Sequence, residues 1–179
     1  MKNALHIPVV LFAFLISLAA HAQSTPQLDR QATAALNDLY ASSPAAKALG
    51  ARAKGVLVFP DVRKAAFIVG AQSGEGTMFQ AGKVVGHYSI GDAAAGLEAG
   101  AESYSYALFF MSDAALAGLR DSRGFDVGLD PNIVFVNVGA AKEVSAATVQ
   151  PDIYGYVFGA TGLMGGVSLQ GVKITQLDR

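Results

Sequence analysis

The stretch that decides the fold runs from Gly55 to Met111: GVLVFPDVRKAAFIVGAQSGEGTMFQAGKVVGHYSIGDAAAGLEAGAESYSYALFFM. Apolar runs of strand composition are cut by Gly70, Gly74, Gly76, Gly82, Gly86, Gly91, Gly96 and Gly100. Glycine weakens helix interiors and lets backbones approach closely. This density therefore predicts a compact sheet with tight turns, not a helical bundle. Short strands are expected over residues 55–59, 65–69, 77–80 and 84–90, the last two joined by a tight turn at Ala81-Gly82. Residues 97–111 form the longest extended segment. Its odd positions are small (Ala99, Ala101, Ser103, Ser105, Ala107), and its even positions carry Glu98, Glu102, Tyr104, Tyr106 and Leu108. A strand puts these sets on opposite faces. The small face should admit a close second layer. The other is expected to be a solvent-facing surface that Tyr104 and Tyr106 continue.

On the N-terminal side the period changes to that of a helix. Leu28, Ala32, Ala35, Leu36 and Leu39 recur at spacings of three and four after a Thr25-Pro26 start. Ser42-Ser43-Pro44 breaks the run, and a second short helix follows to about residue 52 with Ser43 as its cap. Residues 112–120 read as a third helix, capped by Ser112, with Leu116 and Leu119 facing inward and Arg120 in the last turn. Residues 124–132 read as loop and 133–138 as a strand; strands over 154–159 and 167–174 are expected to pair. The fold class is α+β: a strongly bent antiparallel sheet or partial β-barrel with two N-terminal helices and one inserted helix.

The first residues carry the pattern of a secretory signal. Lys2 precedes an apolar run over residues 7–20, and Ala20-His21-Ala22 supplies the small-x-small cleavage pattern. The run is shorter than the about 18 residues of a membrane span. No cysteine follows it, which argues against a lipid-modified N-terminus. Residues 1–22 are expected to be removed, leaving one globular domain: a helical segment over 23–53 and a β-rich part over 54–179. The expected location is periplasmic or secreted.

The chain has 13 Lys+Arg, 14 Asp+Glu and no cysteine. Near-neutral charge excludes a general nucleic-acid binder. Absent thiols exclude cysteine catalysis and thiolate metal sites. His87 is the only imidazole after residue 22, so a multi-histidine zinc site is excluded within one chain. A serine-hydrolase triad would need His87, with Ser89 and Asp92 nearby, but no Gly-x-Ser-x-Gly turn is present. Glu98 and Glu102 would sit roughly 13 Å apart on a strand, against about 5–9.5 Å for paired catalytic carboxylates. The loop from Gly70 to Gly76 lacks both the dinucleotide spacing and the lysine ending of a phosphate loop. No catalytic, cofactor or metal residue is assigned, and the chain is expected to be non-enzymatic. A hydrolase using His87 or Glu98/Glu102 is the weakest alternative.

Lys47, Arg52, Lys54, Arg63 and Lys64 place five cations within 18 residues, opposed by Asp61. Beside an amphipathic helix this pattern suits an anionic lipid surface, at about 1 kcal/mol per cation. The plain alternative is a solvated positive rim, with the helix packed on the sheet.

Several pieces resemble one family when taken in order. They are Lys54-Gly55-Val56-Leu57-Val58-Phe59-Pro60, Phe67-Ile68-Val69-Gly70 followed by Gly74-Glu75-Gly76, and the alternating segment from Gly96 to Met111 with its following helix. The last is Gly162-Leu163-Met164-Gly165-Gly166-Val167-Ser168-Leu169-Gln170-Gly171. Together, over residues 47–176, they resemble the SYLF-domain family of lipid-binding proteins, whose eukaryotic members bind phosphoinositides and actin. The sequence departs from the family after Gly86, where His87-Tyr88 stands in place of a tryptophan and proline. Glu98 and Glu102 stand where the family tends toward glutamine. The resemblance implies non-enzymatic binding of lipid or an anionic membrane surface, with anionic phospholipid as partner in the cell envelope. Phosphoinositides and actin are not expected behind a bacterial signal. The alternative is an envelope structural or protein-interaction module whose contact is Tyr104 and Tyr106.

Overall fold

The computed structural model describes residues 24–122, 125–127, 133–137, 151–162 and 172–178; within these, the side chains of 66–70, 92–99, 136, 137 and 162 are not described. The signal segment and most of the Gly162-to-Gly171 motif lie outside the described residues. The elements are α1 (Thr25–Ser42), α2 (Pro44–Gly50), β1 (Gly55–Gln80), β2 (Lys83–Phe110), α3 (Asp113–Asp121), β3 (Phe125–Asp126), β4 (Ile133–Asn137), β5 (Ile153–Gly162) and β6 (Lys173–Leu177).

The separate strands expected between residues 55 and 111 are two continuous ones, of 26 and 28 residues. They form a single antiparallel hairpin from Gly55↔Phe110 to Gln80↔Lys83. The turn is the expected one. Ala81 (φ 48°) and Gly82 (φ 73°) both take the left-handed conformation, as a two-residue type I′ turn requires. A straight strand of 26 residues would reach about 85 Å. A domain of this length has a radius of gyration of about 15 Å, so the ribbon has to bend. Its register shifts at Phe59/Val62, Phe67/Val69 and Met78/Phe79. Pro60, which has no N–H to give a ladder, falls in the first shift.

β2 changes partner at the bend. On the edge away from β1, residues 87–91 pair with β6 and residues 102–110 pair with β5. The sheet order is β3-β6-β2-β5-β4, with β1 also on β2. Among the described residues β5 and β6 each pair with β2; most of the 167–174 strand expected to pair with 154–159 lies outside the described residues. Phe125 and Asp126 pair with β6 where loop was expected. The β4–β5 pairing is parallel, so the sheet is mixed, within the expected α+β, bent-sheet architecture.

Bending brings the inner faces of the two half-ribbons together. Leu57, Phe59, Val62, Tyr104, Tyr106, Leu108 and Phe110 from one half meet Met78, Tyr88, Ile90 and Ile174 from the other. The contact is tightest at Gly76, where a Cβ would lie 2.5 Å from the Phe59 ring and 2.8 Å from the Val58 carbonyl oxygen. Tyr104 and Tyr106 are therefore core residues, 2% and 0% exposed, and Glu102 is 7% exposed. This overturns the solvent-facing surface expected for that strand face. The cause is the bend, which turns the face inward. The Tyr104 hydroxyl donates to Gln72 Oε1 at 2.7 Å. Burial raises the pKa of both phenols well above the ordinary range, and the Glu102 charge adds to this at Tyr104.

The outer face carries the helices. Ala32 and Leu39 of α1 with Ala46 and Leu49 of α2 cover Val56, Val58, Ala107, Phe109 and Tyr156. The small side chain of Ala107 lets this layer approach, as expected, while Ala101 is exposed beyond it. Phe109 meets Tyr156 edge-on with ring centroids 5.5 Å apart. Ser43 caps α2 by accepting from the Ala46 amide at 3.2 Å, and Ser112 caps α3 by accepting from the Ala115 amide at 3.1 Å. The first helix starts one residue earlier than its Thr25-Pro26 signal, with Ser24 at the cap position.

Candidate functional site

The five cations picked out in sequence do not share one surface. Lys47 lies in the last turn of α2 and is exposed. Arg52, also exposed, follows in the turn, where its side chain lines an open groove of about 190 Å³ with Met111, Pro151 and Tyr154. Lys54 ends the turn. Its amide donates to the Phe110 carbonyl at 2.8 Å, and its Nζ sits 3.9 Å from Asp113 in a solvent-exposed pair. A pair of that length and exposure holds a cation loosely.

The remaining two stand apart. Arg63 lies roughly 25 Å farther along β1 by strand rise. Its Nη2 and Nε are 2.8 Å and 2.9 Å from the same oxygen of Asp61. Lys64 is 8% exposed, opposite Glu102 in register. It is removed from the expected lipid-facing set, because strand alternation and the bend turn it inward with the Glu102 face. So Lys47, Arg52 and Lys54 form one exposed group at the α2–β1 junction.

The fold adds two cations to that end from distant segments. Gln80, at the end of β1, donates from Nε2 to the Lys54 carbonyl at 3.4 Å. Its Oε1 accepts from Arg120 Nη2 at 3.0 Å. Lys83 is its register partner. The Lys54 backbone, Lys83 by strand register and the Arg120 side chain are thereby brought to the same end of the ribbon. Arg120 was legible in sequence as a helix-terminal cation and Lys83 as a turn neighbour, but nothing local to either shows that they converge. Arg120 also reaches the Tyr88 hydroxyl; burial raises that phenol, and the cation works in the opposite direction. Asp113 and Asp121 are the exposed acids close in sequence to this end.

The hydrolase candidates come apart. His87 is 6% exposed, and its Nε2 lies 2.8 Å from Oδ1 of Asp29 on α1. Thr77 Oγ1 donates to the same oxygen at 3.0 Å. His87 and Thr77 are register partners, so Asp29 fastens α1 across both strands of the hairpin. Ser89 Oγ donates instead to the Thr175 carbonyl at 3.4 Å. The side chains of Asp92 and Glu98 lie outside the described residues. No His/Cys/Asp/Glu group suited to a metal ion occurs among the described residues. No described helix is long and apolar enough to cross a membrane.

Residues 91–179 match the family model Ysc84, described as Las17-binding protein actin regulator. Compared with curated proteins, the chain has no match.

Proposed function

Since the chain belongs to the Ysc84 (SYLF) family, a family of binding domains, we propose that it is a non-enzymatic module that binds an anionic lipid or membrane surface in the cell envelope. The observation that carries this reading is the exposed basic end built by Lys47, Arg52, Lys54, Lys83 and Arg120. Only Lys54 among them has an ion pair with a described residue, and that pair is long and exposed. Cations near an anionic bilayer each contribute about 1 kcal/mol, and the attraction falls within a Debye length. The Met111 and Tyr154 side chains beside Arg52 add apolar contact to the groove. The envelope location rests on the signal pattern of residues 1–22.

Co-sedimentation of the chain from Gln23 onward with phosphatidylglycerol-containing and with neutral vesicles, at low and high salt, tests the reading. Binding to the anionic vesicles alone, lost in high salt, is expected. Equal recovery with both vesicle types, or with neither, would rule out a basic lipid-facing surface.

A second reading is a protein-interaction module. It is favoured by Val134 and Phe135, exposed on β4, which pairs only with β5 among the described strands. The printed family description, which refers to binding Las17, fits a protein partner too. Tyr104 and Tyr106 are buried and leave this reading. A partner retained at high salt, from a protein that leaves vesicles unbound, would favour it.

A further inference from the structure

Four large hydrophobic side chains are conspicuously exposed among the described residues: Val84, Val85, Val134 and Phe135. Val84 and Val85 are consecutive in a strand, 41% and 49% exposed. Val85 is the extra residue of the irregularity at Met78/Phe79, where Val84 pairs with Phe79 and Gly86 with Met78, so simple alternation does not set the faces of the two valines. Exposure of both leaves apolar surface uncovered at this bulge. β6 begins its pairing with β2 only at His87↔Leu177. The end of the hairpin, Ala81 to Val85, is exposed throughout and lies beyond the stretch of β2 that pairs with β6.

Lys83 stands between the turn and the two valines. Gln80, the register partner of Lys83, holds the Lys54 backbone carbonyl and the Arg120 side chain. An apolar tip with a collar of cations matches the layering of a bilayer surface, with anionic phosphates outside and acyl chains within.

We propose that the tip of the β1–β2 hairpin, Ala81 to Val85, inserts into the acyl boundary of an anionic bilayer, with Lys83, Lys54 and Arg120 seated at the phosphates. This deepens the lipid reading above and rests on it. It gives the domain an orientation: β1 and β2 run toward the membrane, and the bend faces away.

The chain has no cysteine, so Val84→Cys, Val85→Cys and Val134→Cys each give a single site for an environment-sensitive dye. With phosphatidylglycerol–phosphatidylcholine vesicles, dye at positions 84 and 85 should shift to the blue and brighten, and dye at position 134 should not. The double variant Val84→Ser/Val85→Ser, with an unchanged circular dichroism spectrum, should partition to the vesicles about tenfold or more weakly. If the unlabelled protein binds the vesicles while dye at 84 and 85 stays in water, or the serine variant binds as well as the parent, tip insertion is overturned and the lipid reading stands. If the parent protein binds no vesicle, both fail. A response at position 134 alone would assign the contact to β4.

Discussion

Gly76 is the residue on which the bend closes. A Cβ there would meet both the Phe59 ring and the Val58 backbone oxygen, and backbone cannot step aside as a side chain can. Gly76→Ala should cost about 1–3 kcal/mol, read as a lower urea midpoint. Ala81 is the opposite case, a residue with a Cβ in the left-handed region. Ala81→Asn should stabilise the protein by about 0.5–1 kcal/mol in the same assay, since asparagine tolerates that conformation. The glycine density of the ribbon was legible because backbone approach selects residue type locally. The Asp29–His87–Thr77 cluster was not, since its members come from a helix and two strands and carry no spacing signal. His87→Ala should cost about 1–3 kcal/mol by leaving the Asp29 carboxylate short of a partner. Tyr104 and Tyr106 have folded pKa values raised by burial. The neutral phenol is the form the fold keeps, so their contribution is complete below the unfolded pKa of about 10 and is lost as pH rises beyond it. Tyrosinate absorbance from these two residues should appear together with the loss of sheet circular dichroism in an alkaline titration.

At the level of elements, the helices followed their signals closely, because caps and apolar period act within a few residues. The long hairpin did not. Pro60 and the glycines that punctuate residues 55–111 have the composition of strand ends, yet here they mark bulges and close approaches within continuous strands. The same error of scale spread the five cations into one expected rim, when strand alternation sends Lys64 inward and strand length carries Arg63 away. α1 is held by Leu28, Ala32 and Leu39 on one side and by Asp29 at the hairpin. Leu39→Ala should cost about 2–5 kcal/mol. Hydrogen exchange should show the amides of α1 losing protection ahead of those in β2.

For the molecule as a whole, β2 is the common member: β1, β5 and β6 all pair with it. The two half-ribbons share a core but expose different ends, one basic with an apolar tip and the other carrying the Asp61–Arg63 pair. The continuous hairpin also sets an order of assembly. Its pairs are nested around Ala81-Gly82, so each new pair closes a loop only slightly larger than the last, and the chain can zip outward from the turn. Pairing of Gly55 with Phe110 arrives last within the hairpin, and β6, whose partners on β2 are farther away in sequence than those of any hairpin pair, docks afterwards. Strain at Ala81 therefore acts where nucleation would occur. Relieving it should quicken refolding and leave the unfolding rate nearly unchanged, the signature of a contact already made at the barrier.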